Sequence, residues 1–505
     1  MTSKLKALKK AFVGIGATLL PMLASAATSN ATYDNLPFAM SEVKRPYIPD
    51  YSVRLTDFGG VADGVTLNTG SFAKAIKHLE DHGGGRLIVP FGLWLTGPIE
   101  LKSHIELHLE EGALVLFSPN RADYPLVEST FEGVKSRRCM APLTATGATD
   151  VAITGQGVFN GNGQNWRPVK KGKLTSAQWT KLCKTGALNK AQNTWYPSAE
   201  IRDISNDSKY MDEAFAKNDD ASWNKVHDFL RPKLLSFTEC KRVLLEDATF
   251  ENSPGWNLHP LMCEDVTISN VTIRNPWYAQ NGDGLDLESC KNIVIKGCSL
   301  DVGDDALCIK SGRDKEGRDR NMPTQNVIIE DCRVYHGHGG FVVGSEMSGG
   351  ARNILLRRCL FIGTDTGLRF KSTRGRGGVV SDIFIEDVSM SDIAGAAVTF
   401  DLYYGGANAG NNTIEKVKVD ETTPSFRDIT MKNVVCKGAA QAAFFNGLPE
   451  MPISNISVSN SVFEAETGFT LNYIHNLTLN NVKIGVSKGE TIVKQNDVKG
   501  FKNKQ

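Results

Sequence analysis

Two stretches, Asp265-Val-Thr-Ile-Ser-Asn-Val-Thr-Ile-Arg-Asn275 and Asn292-Ile-Val-Ile-Lys-Gly-Cys-Ser-Leu-Asp-Val302, are copies of one pattern set 27 residues apart. Each opens on a polar residue, alternates apolar with other side chains, turns, and resumes a second short apolar run. Alternation over so few residues marks strands, not helices. The same opening recurs at Arg242, Asn326, Asn353, Asp382, Asp428, Asn455 and Asn476. From Arg242 onward, successive openings are 23, 27, 34, 27, 29, 46, 27 and 21 residues apart. A period in the twenties with occasional insertions, and no helix between strands, predicts an all-β chain wound as a right-handed parallel β-helix. Each coil adds a few short strands, and stacking buries one continuous core. The recurring Asn has a mechanical reading: it tolerates the left-handed backbone, and its amide can bond the same corner of the next coil.

Outside the repeat, "NTGSFAKAIKHLEDHGGG" places Phe72, Ala75, Ile76 and Leu79 on one helical face. With Thr69 as N-cap and Gly83 to Gly85 as the stop, a capping helix is expected over the N-terminal end of the solenoid. The stretch 166–234 breaks the pattern. Its segments "SAQWTKLCKTG" and "SWNKVHDFLRPKLLSF" have helical spacing, and it carries Trp166, Trp179, Trp195 and Trp223. So long an excursion reads as a helical insertion forming a lid or wall beside a cleft. At the N-terminus, Lys4, Lys6, Lys9 and Lys10, the apolar run 11–23 and Ala24-Ser25-Ala26 read as a signal peptide over 1–26, hence a secreted or periplasmic product. The rest divides into an extension at 27–52, one solenoid domain at 53–495 and a tail at 496–505.

With 505 residues, 41% of them hydrophobic, the chain can bury a large core; a net charge of +1 offers no global field for nucleic acid or membrane. Neither partner is expected, no later run is long enough to span a bilayer, and the protein is expected to be a monomer. Arg167, Lys170, Lys171 and Lys173 form a local basic cluster that would suit a polyanion or simply be solvated. The ten cysteines fall mostly inside strand-like segments, as Cys240, Cys263, Cys290, Cys332 and Cys359 do. Stacked free thiols fit those positions at least as well as disulfides.

Four polar clusters on consecutive segments carry the chemistry: Asn281-Gly282-Asp283-Gly284-Leu285-Asp286, Gly303-Asp304-Asp305, Gly337-His338-Gly339-Gly340 and Arg369-Phe370-Lys371. Asp304 and Asp305 follow Asp283 by 21 and 22 residues, about one coil, so the three carboxylates should meet on adjacent coils roughly 5 Å apart. So close together they cannot all ionise freely, and one should keep its proton to higher pH. That division into acid and base is what glycoside hydrolysis requires. His338 and Arg369 lie about one further coil along each, and the glycines suggest close approach of a ligand to the backbone. Arg369 and Lys371, two apart on a strand, point to one face and suit a sugar carboxylate. Adjacent Asp304 and Asp305 would point to opposite faces of a regular strand, so the chain must turn near Gly303.

Across roughly Arg54 to Ile474 the chain resembles the polygalacturonases of glycoside hydrolase family 28, whose motifs Asn-Thr-Asp, Asp-Asp, Gly-His-Gly and Arg-Ile-Lys appear here, in order, as Asn281-Gly282-Asp283, Asp304-Asp305, Gly337-His338-Gly339 and Arg369-Phe370-Lys371. The resemblance implies a pectin-lyase-like solenoid that hydrolyses α-1,4-galacturonosidic bonds of pectin with inversion and without metal or cofactor. It makes Asp304 the general acid, Asp283 and Asp305 the residues that activate water, His338 the group that tunes the acid, and Arg369 and Lys371 the carboxylate clamp. Asn281, Tyr404 (in preference to Tyr403) and His259 are further candidates for sugar contact. "GHGGFVVGSEMSGG" and "GLRFKSTRGRGG" look more like the bacterial exo-acting branch. The alternatives are endo-cleavage, a rhamnogalacturonan or xylogalacturonan hydrolase, a calcium-dependent pectate lyase on the same fold, and a non-catalytic carbohydrate-binding β-helix. Inversion carries a geometric expectation: acid and base carboxylates about 6.5–9.5 Å apart.

Overall fold

The computed structural model describes residues 31–405 and 415–504; the signal peptide expected at 1–26 lies outside them. Three stacks of parallel strands run the length of the molecule. The first passes from Gly85–Val89 through Ile105–Leu109, Lys241–Glu246, Lys291–Lys296 and Ala351–Arg357 to Ile474–Val486. The second holds the short strands Thr249–Glu251, Thr272–Arg274 and Ser299–Asp301. The third holds Leu143–Thr146, Leu235–Thr238, Leu258–Leu261, Leu285–Glu288, Leu307–Lys310, Phe341–Val343 and Leu368–Lys371. This is the parallel β-helix that the spacing predicts.

Register stacks like on like. Val266 pairs with Ile293, Ile293 with Val327, Val327 with Ile354 and Ile354 with Ile383, and all are buried. Each of the nine opening residues has positive φ, between 52° and 60°. The amides of Asn292, Asn326 and Asn353 donate to Asp265, Asn292 and Asn326 at 3.4, 3.1 and 3.1 Å, so the corners form a hydrogen-bonded ladder. All ten cysteines are free thiols, and nine of them are buried.

The helix Thr69–Asp81 buries Phe72, Ala75, Ile76 and Leu79 in the main core, as expected. Asn68, not Thr69, occupies the N-cap position; the Thr69 hydroxyl instead accepts from the Gly97 amide at 2.7 Å. In the later part of the extension, Arg45 pairs with Glu246 of the first stack at 3.0 Å. The described part of the expected tail, 496–504, belongs to the solenoid: Val498–Lys499 and Lys502–Lys504 pair with Ile474–Val486.

The insertion carries four short helices, Ser176–Leu182, Ala199–Asn206, Lys209–Lys217 and Asp220–Asn224, and a small antiparallel sheet. The helix expected across residues 222–237 stops at Asn224; Pro232 cannot supply a helical amide, and the strand Leu235–Thr238 follows. All four tryptophans are buried in two apolar clusters, one of which also takes in Tyr124 and Cys139 from outside the insertion. They hold it together and are not sugar platforms. Arg167 is likewise buried, bonded to Asn252 and the Ser253 carbonyl, and takes no part in a basic surface.

Candidate active site

In the third stack, Leu285, Leu307, Phe341 and Leu368 pair in sequence and turn into the core. The alternate positions Asp286, Cys308, Val342 and Arg369 form one outward row, and Glu288, Lys310 and Lys371 extend the next. Asp283 and Asp305 each stand two residues ahead of paired Leu285 and Leu307, so they are in register one coil apart. The Gly284 amide donates to the Asp305 carbonyl at 2.9 Å and fixes that register.

Asp304 and Asp305 lie in a bend ahead of the strand Leu307–Lys310, which is why neighbours can share a side. The Asp305 amide donates to the Asp304 carboxylate at 3.0 Å, and the Asp304 carbonyl accepts from the His338 amide at 2.9 Å. Gly303 sits at the bend because a Cβ there would lie 2.6 Å from the Ala279 and Pro276 carbonyls. At Gly339 it would strike Val342 at 2.4 Å. The glycines serve tight coil packing, a correction to the expectation that they make room for ligand.

One oxygen of each of Asp283, Asp304 and Asp305 lies within 4.8 Å of the others. Two oxygens hydrogen-bonded to one water at about 2.8 Å each stand about 4.6 Å apart, so the cluster is spaced to hold a single water. The bend at Asp304 and Asp305 is what brings these consecutive side chains together. This is the one group among the described residues whose oxygens could converge on a metal ion. Asp305, however, already gives its oxygens to Arg369 at 3.1 Å and Lys371 at 2.6 Å.

The environments drive the carboxylates apart. Burial, reinforced by the charges of Asp286 and Asp304, raises Asp283 well above the usual carboxylate range, and one of its oxygens has no hydrogen-bond partner. Asp305 is as deeply buried, which opposes its charge, but Lys371, Arg369 and Lys310 overcome that and hold it far below the usual range. The proton is therefore held more tightly by Asp283 than by Asp305. Asp304 is more exposed and meets His338 Nδ1 at 3.1 Å; that contact raises the imidazole, whose Nε2 lies 3.7 Å from Asp365.

The remaining candidates divide. Tyr404 is exposed, with Lys371 Nζ and Arg369 Cζ at 4.7 and 5.4 Å from its ring centre, whereas Tyr403 is packed in the core. Asn281 lines the cleft and accepts from Arg231 at 3.0 Å. His259 is a correction: it stands one residue after Leu258, in the outward row, yet it is wholly buried. Lys233 Nζ at 2.9 Å, Glu288 at 2.9 Å and the Trp256 ring surround it, and it cannot touch substrate. Arg369 and Lys371 converge as expected, but on a protein carboxylate.

Several residues at the site carry no motif. Asp286 is buried with neither oxygen hydrogen-bonded, and burial lifts it to about 7; Lys310 approaches at 3.6 Å and bonds Glu346 at 2.8 Å. An antiparallel hairpin, Leu126–Phe131 with Val134–Cys139, forms a wall; its tip is pinned where Glu132 meets Arg313 at 3.3 Å. Hairpin, Trp256, Arg231 and Lys233 enclose a cavity of about 670 Å³ that reaches Asn281, two residues from Asp283. Its Glu-Gly turn with two positive φ values was the one available sequence signal.

Fold and site define the class first: a parallel β-helix with a water-sized carboxylate cluster beside a cation-rich cleft has the equipment of a glycoside hydrolase. The chain belongs to the glycosyl hydrolases family 28, whose model matches residues 212–478. It is 28% identical over 424 residues to a probable polygalacturonase of Vitis vinifera, covering 81% of this chain and 74% of that one. To an exo-poly-alpha-D-galacturonosidase of Dickeya chrysanthemi it is 28% identical over 452 residues, covering 86% and 72%. The crystal structure of a hyperthermoactive exopolygalacturonase from Thermotoga maritima superposes with a TM-score of 0.74 at 33% identity, covering 89% of this chain and 95% of that one.

Proposed function

We propose that the protein is a secreted, exo-acting polygalacturonase that hydrolyses α-1,4-galacturonosidic bonds at a chain end. The observation that carries the reading is the convergence of Asp283, Asp304 and Asp305 to within 4.8 Å beside basic side chains. Asp304, the most accessible of the three, donates the proton to the leaving oxygen. His338, its partner at 3.1 Å, supplies and tunes that proton. Ionised Asp305 accepts from a water held against Asp283. Tyr404 and the free edge of Arg369 meet the sugar. Exo-action is supported by the names of the Dickeya and Thermotoga relatives and by the hairpin that walls the cleft. Secretion rests on the basic, apolar and small-residue succession of residues 1–26.

Asp304→Asn is expected to lower release of reducing ends from polygalacturonate by about 10²–10⁴-fold while thermal unfolding is unchanged; retained activity would remove Asp304 from the acid's role. Immediate appearance of mono- or digalacturonate means exo-action, and a ladder of mid-sized oligomers means endo-action. The resemblance implies inversion, and the anomer first released, read by proton NMR, tests it.

A further inference from the structure

Beneath the face that carries the three carboxylates lies a buried cation to which the proposed catalytic roles assign nothing. Lys310 ends the strand Leu307–Lys310, in register with Glu288 one coil back, and is 3% exposed. Its Nζ donates to Glu346 at 2.8 Å, lies 4.6 Å from the centre of the Trp256 ring and stands 3.6 Å from Asp286. The other Glu346 oxygen accepts from the Ser345 hydroxyl at 2.8 Å. The Lys310 carbonyl accepts from the Thr324 hydroxyl at 2.6 Å and from the Ser289 amide at 3.0 Å, so both ends of the residue are fixed.

The carboxylates of this face divide by the cations that reach them. Asp305 has Lys371 and Arg369 at hydrogen-bond distance, and Glu346 has Lys310. Among the described residues, Asp283 forms no ion pair and Asp286 pairs with Lys310 alone. In so dry a setting one fixed positive charge acts on several neighbours at once. Burial lifts Asp286; Lys310 and Lys233 oppose that, while Asp305 and Glu346 reinforce it. On Asp283, burial and then the charges of Asp286, Asp304 and Asp305 favour the protonated form, and Lys310 is the counterweight; Arg231 faces it from the end of the insertion. Lys310 also adds to Lys371 and Arg369 in holding Asp305 ionised. We propose that Lys310 is a positioning residue for the reaction: locked by Glu346 and Trp256, it is the buried cation that lets Asp283 and Asp305 be charged together when they activate water. Asp286 acts against it, as a buried carboxyl competing for the same cation. The inference rests on the hydrolase reading, in which Asp283 and Asp305 serve the attacking water.

The test is the pH profile of kcat/KM on polygalacturonate. Interacting carboxylates titrate as a set, and the acid limb, where activity falls as the base takes up a proton, reports that set. Lys310→Gln removes the cation and should move the acid limb up by about one pH unit; Asp286→Asn removes the competing charge and should move it down by about as much. The double variant should fall between the two, and Lys310→Arg, which keeps the charge, should hold the limb near its wild-type position. Thermal unfolding verifies that each variant is folded, and Asp286→Asn, almost unchanged in shape, carries the test if Lys310→Gln does not fold. A merely structural role would lower kcat and leave the limb in place. Acid limbs that stay put in the folded variants, or that both move the same way, would overturn the role of Lys310. Failure of the wild type to cleave polygalacturonate at any pH would overturn the galacturonan reading instead.

Discussion

The corner ladder and the cleft face are built on the same coils by opposite rules. At the corners, Asn292, Asn326 and Asn353 each sit in the left-handed conformation and hand an amide proton to the residue one coil back. At these three steps the strain of positive φ is offset by a hydrogen bond. On the face of the third stack, Asp283 and Asp286 are buried with oxygens that have no hydrogen-bond partner. Regularity stabilises the solenoid. The departures from it mark the face that we propose binds substrate.

The contrast breaks most visibly at Asp305. Asp305→Ala leaves Arg369 and Lys371 facing each other in a buried setting, and we expect a loss of about 3–5 kcal/mol in chemical denaturation, with activity abolished. A ladder residue should matter less: Asn326→Ala removes two side-chain bonds and strains the backbone, for about 2 kcal/mol. Asn326→Gly, which keeps the bend at little strain, should restore about half. The smallest effect concerns His259, which burial holds at about 4. Between that value and its ordinary 6.5 the unfolded chain binds more protons, so this group removes stability as pH falls through that window. A His259→Gln variant, free of that penalty, should therefore gain on wild type in melting temperature as pH is lowered from 6.5 to 4; a constant difference would remove the histidine from the pH response.

Legibility in the sequence follows the same division. The ladder, the strands and the capping helix repeat or alternate locally, so nine opening residues and one amphipathic face were enough to read them. The carboxylate cluster was legible because Asp283 and Asp305 are one coil apart and a single glycine marks the bend between strands. His259 misled because the outward row of a strand is exposed only if nothing covers it, and Trp256 with Lys233 does so from other coils. The cavity's Arg138, Arg231 and Lys233 come from a hairpin and the end of an insertion, and no local period brings them together. The tryptophans of the insertion were conspicuous for a different reason: they are the core of a small appended unit.

The cleft keeps at Asp283 a carboxyl whose ionisation burial and neighbouring charges disfavour, for the sake of chemistry, and Asp283→Asn tests this most directly. Wild type suffers the ionisation of a buried, crowded carboxyl whose folded pKa lies well above 3.8, so the penalty is absent at low pH and grows as pH rises above that value. Calorimetric melting of the two proteins from pH 3 to pH 7 should show them alike at the acid end and the variant several degrees more stable at neutrality, with polygalacturonate hydrolysis lost. A variant that melts below wild type at pH 7 would contradict the claim and make Asp283 a structural anchor like Asp305.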